Sequence, residues 1–315
     1  MMLRLSPNCG RRVSNMSEQP QTIDLQIDHP AVDDLQKDFK PRSLRAHVLS
    51  LIHRYPYEQL RVQAKDKSVL ELGCNKGFGT VIYAEAADSV KAVDTSSEAI
   101  EKAGELNSRD NIEYVCLQSW TLPFEDDAFD LTVLFQVIEH IALDKRDIFL
   151  REIKRVTRAD GQVIVTTPNR NIRLLPFQKP WNRFHTKEYS AQDLKQLLSD
   201  YFAEVRVDGL FGAESLNKIE RRRVKQKPAK VYLKEPLRKY LVRPILNLLS
   251  DKTETTSGGA SSRKSKTKVG NTDSSQIKAA ASESADFPYT LSDLEFRGQA
   301  LHQALDLKAT VLRIK

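Results

Sequence analysis

The stretch VLELGCNKGFGT, residues 69–80, decides the fold. An apolar run ends at Leu72, Gly73 and Gly77 follow as a glycine-bearing turn, and the pattern after Gly77 is helical. A strand that feeds a helix through such a turn is a ligand-binding geometry. In a doubly wound sheet, ligands settle beyond the carboxyl ends of the strands, where a residue without a side chain lets backbone approach ligand. The spacing is G-x-x-x-G, so the dinucleotide fingerprint G-x-G-x-x-G is not met and a pyrophosphate cradle is disfavoured. Glu71 stands just before the turn.

Outward from this stretch, short apolar runs alternate with helical patterns, the signature of a mostly parallel sheet. SVLEL (68–72), VKAVD (90–94), IEYVC (112–116), FDLTVLF (129–135) and QVIVTT (162–167) read as five strands. A helix follows Gly77, a second starts near Ser96 or Ser97 and runs to Leu106, and a third spans about Asp144 to Thr157. A fourth begins at Ser190, an N-cap with Asp193 three residues on, and sets Leu194, Leu197, Leu198 and Tyr201 on one face. AEVRVDGLF (203–211) and ALDLKATVLRIK (304–315) alternate as strands. Strand two ends in Asp94, about 20 residues beyond the turn, where an acid accepts hydrogen bonds from ribose hydroxyls.

Composition narrows the class. With 40% hydrophobic and 29% charged residues, the 315-residue chain is globular, not fibrous or wholly disordered. No run nears the roughly 18 apolar residues of a membrane-spanning helix. Cys9, Cys74 and Cys116 form no close pair, which argues against a disulfide framework or structural zinc and fits a reducing cytosol. Cys74 and Cys116 read as small buried apolar residues. The net charge of +7 is concentrated in residues 213–285, which hold 17 Lys and Arg against 7 Asp and Glu. The remainder is near neutral, and a nucleic-acid partner is not expected. Residues 1–20 read as a disordered leader, with Arg4, Arg11 and Arg12 and with Met16 as the working start.

Taken in order, ELGCNKG (71–77), AVD (92–94), WTLPFEDDAFDLTVLFQVIEHI (120–141), LREIKRVTRADGQVIVTTPN (150–169) and NRFHTKEYS (182–190) resemble the motifs of class I S-adenosylmethionine-dependent methyltransferases. Within that class they resemble the large group that includes the ubiquinone-biosynthesis and the glycan or natural-product methyltransferases. The resemblance covers about Ser68 to Phe211 and the closing strand. It implies a Rossmann-like, doubly wound, seven-stranded α/β sheet whose last strand is antiparallel and inserted between strands five and six. It also implies S-adenosyl-L-methionine as cofactor, held by Glu71, Gly73, Cys74, Asn75, Gly77, Asp94, Thr95, Gln118, Ser119, Phe135 and Gln136, with Phe135 and Gln136 lining its methionine end. The pattern is broken in two places. Asn75 replaces the middle glycine, and Asn tolerates positive φ. Gln118 and Ser119 replace Gly-Asp, and Gln118 can bond an adenine edge as a neutral amide.

On this reading a methyltransferase domain spans 21–212, with a helical part at 31–65 and the core at 66–212. Methyl transfer draws much of its rate from proximity and orientation, and a base matters when the acceptor is an alcohol. The candidates are His185, His140 and Glu139, which the topology brings to one rim. As a trio they would suit a divalent metal with an open position. The preferred reading has His140 capping a helix and His185 braced through Glu188 or Tyr189, and no metal is assigned. The expected function is O-methylation of a small-molecule, glycan or lipid-linked acceptor. A catalytically weak methyltransferase-fold interaction protein and a nucleic-acid methyltransferase are the alternatives.

Residues 213–300 then form a basic insertion, disordered at 251–285, where there is no aromatic and eight serines occur among scattered lysines. Residues 301–315 return as the final core strand. Within 231–249, Leu237, Tyr240, Leu241, Ile245, Leu248 and Leu249 fall near one helical face among basic residues. That stripe packs as a lid or touches an anionic membrane surface. A cytoplasmic protein with a peripheral membrane contact is the matching expectation.

Overall fold

The computed structural model describes residues 40–224, 228, 231–232 and 287–314. Among these, the helices are α1 (Leu44–Gln63), α2 (Thr80–Ala84), α3 (Ser97–Leu106), α4 (Arg146–Val156), α5 (Arg170–Arg173), α6 (Ala191–Ser199) and α7 (Glu214–Val224). The strands are β1 (Ser68–Leu72), β2 (Ser89–Asp94), β3 (Ile112–Cys116), β4 (Phe129–Phe135), β5 (Thr157–Pro168), β6 (Phe202–Gly212), β7 (Leu294–Arg297) and β8 (Asp306–Ile314). The expected leader at 1–20, the 31–39 part of the helical N-terminal segment and the segment 251–285 lie outside the described residues. So does the stripe at 231–249 apart from Val231 and Tyr232.

One sheet carries all eight strands in the order β3-β2-β1-β4-β5-β8-β6-β7. β1 to β5 run parallel, and β8 lies antiparallel between β5 and β6, as the resemblance implies. The seven expected strands are present, and β7 adds an eighth, antiparallel on the outer edge of β6. The chain separates into two compact units, Met1–Lys225 with Pro288–Lys315, and Gln226–Phe287. The stretch expected as an insertion from 213 to 300 therefore gives α7 at its start and β7 near its end to the first unit.

β1 is buried along Val69 to Leu72, as a parallel strand covered on both faces must be. Its alternate side chains enter opposite layers. Leu70 and Leu72 join Leu134, Phe149, Ile153, Leu194 and Leu198, whereas Val69 joins Tyr57, Tyr83, Leu131 and Val133. α4 and α6 cover one face, and α1 with α2 cover the other. α6 opens with the capping box expected at Ser190, whose hydroxyl accepts from Asp193 N at 3.1 Å while Asp193 Oδ2 accepts from Ser190 N at 3.2 Å. α7 packs Leu216 with Val48, Leu51, Ile52, Leu210 and Leu294.

The strand order reverses direction between β1 and β4. From β1 the chain builds outward to β2 and β3, then crosses to β4 and β5 on the other side. The carboxyl ends of β1 and β4 thus bound a switch point, the place where α/β sheets receive ligands.

Candidate functional site

The turn after β1 is held by backbone. Gly73 N and Cys74 N both donate to Val93 O, at 2.7 and 3.0 Å, and Gly77 N donates to Cys74 O at 3.0 Å. Gly73, Asn75 and Gly77 all have positive φ, at 83°, 49° and 74°. Asn75 therefore fills the position of the missing middle glycine in the left-handed region that Asn tolerates. The glycines are needed for a reason the sequence did not disclose, since their open sides face protein. A Cβ on Gly73 would lie 2.5 Å from Val137 Cγ2, and one on Gly77 would strike the Tyr114 hydroxyl and ring.

Glu71 is buried at 1% exposure. Its Oε2 accepts from Thr80 Oγ1 at 2.7 Å and from Tyr83 OH at 2.8 Å. Burial raises its pKa, and the bonds from Thr80, Tyr83 and Tyr57 oppose the shift. Its visible partners are thus α1 and α2, which it clamps to the end of β1. Asp94 closes β2 at 4% exposure. One oxygen accepts from Asn75 N and the other from Ser96 N, each at 2.9 Å. Burial raises its pKa against these bonds. A carboxylate accepts about four hydrogen bonds, so Asp94 can take a further donor. Cys74 is buried, and burial pushes its thiol well above the usual range, as befits an inert packing residue. Thr95 is half-buried beside Asp94, whereas Gln118 and Ser119 are exposed past the end of β3.

At the end of β4, Phe135 is buried and meets the Tyr57 ring edge-on, with centroids 4.7 Å apart. Gln136 has φ of 59°, and its Nε2 donates to Asp306 Oδ2 at 3.1 Å. Tyr57, Val137 and Asp306 had no part in the sequence reading. Tyr57 carried a signal only as an aromatic on the apolar face of α1, and the other two are placed by contacts across the sheet.

Glu139, His140 and His185 come together, with the two imidazole rings edge to face at 4.7 Å. All three are buried, at 0%, 6% and 5% exposure. His185 is braced through Glu188, its Nδ1 lying 3.1 Å from Oε1, and Arg173 Nε stands 3.5 Å from the other oxygen. His140 does not cap a helix. Its Nδ1 bonds the carbonyl of Phe184 at 3.1 Å, because residues 138–140 form a turn and α4 begins only at Arg146. Burial, with His185 adjacent, lowers the His140 pKa to about 4. Burial raises that of Glu139 to about 8, against a bond from Thr167 Oγ1 at 3.0 Å. Thr186 ties the two loops, donating from N at 2.8 Å and from Oγ1 at 3.0 Å to Glu139 O.

Residues 70–165 match the methyltransferase domain family. The chain is 36% identical over 171 residues to a probable S-adenosylmethionine-dependent methyltransferase of Mycobacterium tuberculosis, covering 54% of this chain and 61% of the relative. It is 25% identical over 162 residues to a ubiquinone biosynthesis O-methyltransferase of Coxiella burnetii, covering 50% of this chain and 68% of that one. Among solved structures it is similar to the [4+2]-cyclase SpnF, at 13% identity and a TM-score of 0.48, over 91% of this chain and 93% of that one. The chain thus spans about three fifths of the length of its mycobacterial relative. The matched residues include the glycine turn, Asp94 and the Glu139–His140 segment, and it is through this core that the chain is similar to the S-adenosylmethionine-dependent methyltransferases.

Proposed function

We propose that the chain transfers a methyl group from S-adenosylmethionine to a hydroxyl oxygen of a small-molecule, glycan or lipid-linked acceptor. The observations that carry this reading are a glycine turn anchored on Asp94 at the switch point and, in the loop after β5, a buried His185 whose Nε2 has no hydrogen-bond partner. When bound, the cofactor supplies an electrophilic methyl on a sulfonium. The residues present fit it: Asp94 retains acceptor capacity for a ribose hydroxyl, Asn75 and Gly77 give the turn its left-handed path, and Gln118, exposed past the end of β3, has an amide that could bond an adenine edge.

The chain's own part in the chemistry is to position the acceptor and hold its proton. His185 keeps its Nδ1 on Glu188, which fixes the ring and leaves Nε2 as the proton acceptor for an alcohol. His140 is neutral near pH 7, so it adds no positive charge beside that base. The O-methyltransferase relative from Coxiella supports oxygen as the acceptor atom. Among the described residues no helix is long and apolar enough to cross a membrane. A peripheral contact through residues 231–249 and a cytoplasmic location remain part of the proposal, and nucleic acid is not the proposed acceptor.

The test is a panel of phenols, sugars and polyprenyl-linked glycans incubated with the full chain and methyl-labelled cofactor. Label transferred to a hydroxyl supports the reading. Absence of calorimetric cofactor binding at millimolar concentration overturns it.

A further inference from the structure

Among the described residues one group of side chains could hold a metal ion: Glu139, His140 and His185, whose ligand atoms all lie within 4.8 Å of one another. The protons around this group are fixed by partners. The Phe184 carbonyl can only accept, so His140 carries its proton on Nδ1 and presents a lone pair at Nε2. The Glu188 carboxylate, beside Arg173, likewise draws the His185 proton to Nδ1. Imidazoles that ligate metals are oriented in this way, with the second nitrogen held by a carbonyl or a carboxylate.

The remaining atoms are acceptors left in a dry place. Glu139 Oε1 and His185 Nε2 are both buried without a hydrogen-bond partner, although Thr167 occupies the other Glu139 oxygen. Buried polar atoms are ordinarily satisfied, so two orphans in one cluster call for a ligand. The loops are also locked to each other by the two Thr186 bonds to Glu139 O, so the cluster is built and not a chance encounter of surface chains.

We propose that Glu139 Oε1, His140 Nε2 and His185 Nε2 form a divalent-cation site of the two-histidine, one-carboxylate kind, whose remaining position takes an acceptor oxygen. Two imidazoles favour a borderline first-row ion such as Zn²⁺, Co²⁺ or Mn²⁺ over Mg²⁺ or Ca²⁺. Ligand bonds near 2.1 Å in a tetrahedron set ligand atoms about 3.4 Å apart, so the side chains close by no more than about 1.4 Å on loading. The cluster stands on the cofactor rim, because Glu139 is two residues beyond Val137, which packs against Gly73. The cation site stands on its own geometry, and the acceptor-oxygen half rests on the O-methylation reading. His185 Nε2 serves either as ligand or as base, so its base role belongs to the metal-free chain.

The experiment uses the full chain, stripped with chelator and titrated with Co²⁺. The expected result is a visible d–d spectrum saturating at one Co²⁺ per chain and displaced by Zn²⁺. His185→Gln, His140→Gln and Glu139→Gln should each weaken Co²⁺ binding at least tenfold, Glu188→Gln should weaken it by an intermediate factor, and His302→Gln, on the surface, should not. Circular dichroism reports whether each variant folds. Calorimetry with S-adenosylmethionine reports the cofactor separately, so a failed metal site and a failed methyltransferase reading give different results. A wild-type chain without a stoichiometric cobalt spectrum overturns the proposal, whichever variants fold, and so does a folded His185→Gln variant with unchanged Co²⁺ affinity.

Discussion

Gln136 and Asp306 stand 170 positions apart in the chain, and the amide of the first donates to the carboxylate of the second at 3.1 Å. The bond fastens the left-handed turn after β4 to the first residue of β8. Burial raises the Asp306 pKa to about 6, opposed by Arg173, His53 and Arg223 and assisted by Glu220. A carboxyl with a raised folded pKa contributes nothing adverse below its unfolded pKa of about 4, and its ionisation costs stability as pH rises through the folded value. Wild type should therefore lose up to about 3 kcal/mol relative to Asp306→Asn between about pH 4 and 7. Urea denaturation of both proteins across that range measures the difference. A constant difference would mean that Asp306 does not titrate there.

Gly73 is constrained twice, by its φ of 83° and by Val137 Cγ2, which lies 2.5 Å from the place a methyl group on Gly73 would take. Gly73→Ala should cost about 1–2 kcal/mol for the left-handed backbone and about 1–3 kcal/mol for the overlap. Adding Val137→Ala should recover the second part and leave the first. A double-mutant cycle in denaturant separates them. Additive effects would show that the two residues do not touch.

Much of this arrangement was legible in the amino-acid pattern. β1, β3 and β4 begin and end where their apolar runs do, and β1 and β4, buried on both faces, stand out against polar flanks. The place of Asp94 at the end of β2 was read from spacing, Glu71 was singled out by the resemblance, and His140 and His185 were set on a common rim by topology. β7 was not legible. Leu-Glu-Phe-Arg is too short to show a period, and it becomes a strand only because the outer edge of β6 receives it. The contacts of Val137, Tyr57 and Asp306 were hidden for the same reason: each depends on which distant strand or helix lies next door, and no local pattern encodes that. The use of Glu71 on Thr80 and Tyr83, and the need for glycine against Val137 and Tyr114, are likewise properties of packing.

Asp94 should matter to cofactor affinity beyond its backbone bonds. Asp94→Ala removes the acceptor for the ribose and frees Asn75 N and Ser96 N, for a loss of about 1–3 kcal/mol, or about five- to 150-fold in Kd. Calorimetry with S-adenosylhomocysteine tests this without turnover. Unchanged affinity would place the ribose elsewhere.

His185 should split the kinetic constants in the opposite sense. Its base role predicts that His185→Ala lowers kcat on a hydroxyl acceptor by about 10²–10⁴-fold while the cofactor Kd stays within about twofold. Glu188→Gln, which loosens the ring without removing it, should lower kcat by a smaller factor. Equal losses in kcat and cofactor binding would mark His185 as a brace for the loop.

The position of β8 has a consequence for how the protein is made. β8 lies between β5 and β6, yet β5 ends at Pro168 and β8 begins only at Asp306. At ribosomal speeds, the intervening chain takes on the order of 10 s to emerge. Throughout that interval β5, joined by β6 once Gly212 is made, waits with a bare edge, the condition that invites pairing with other nascent chains. The sheet is thus completed late, by insertion of a strand into a gap, and the half-built intermediate is a natural client for a chaperone that shields strand edges.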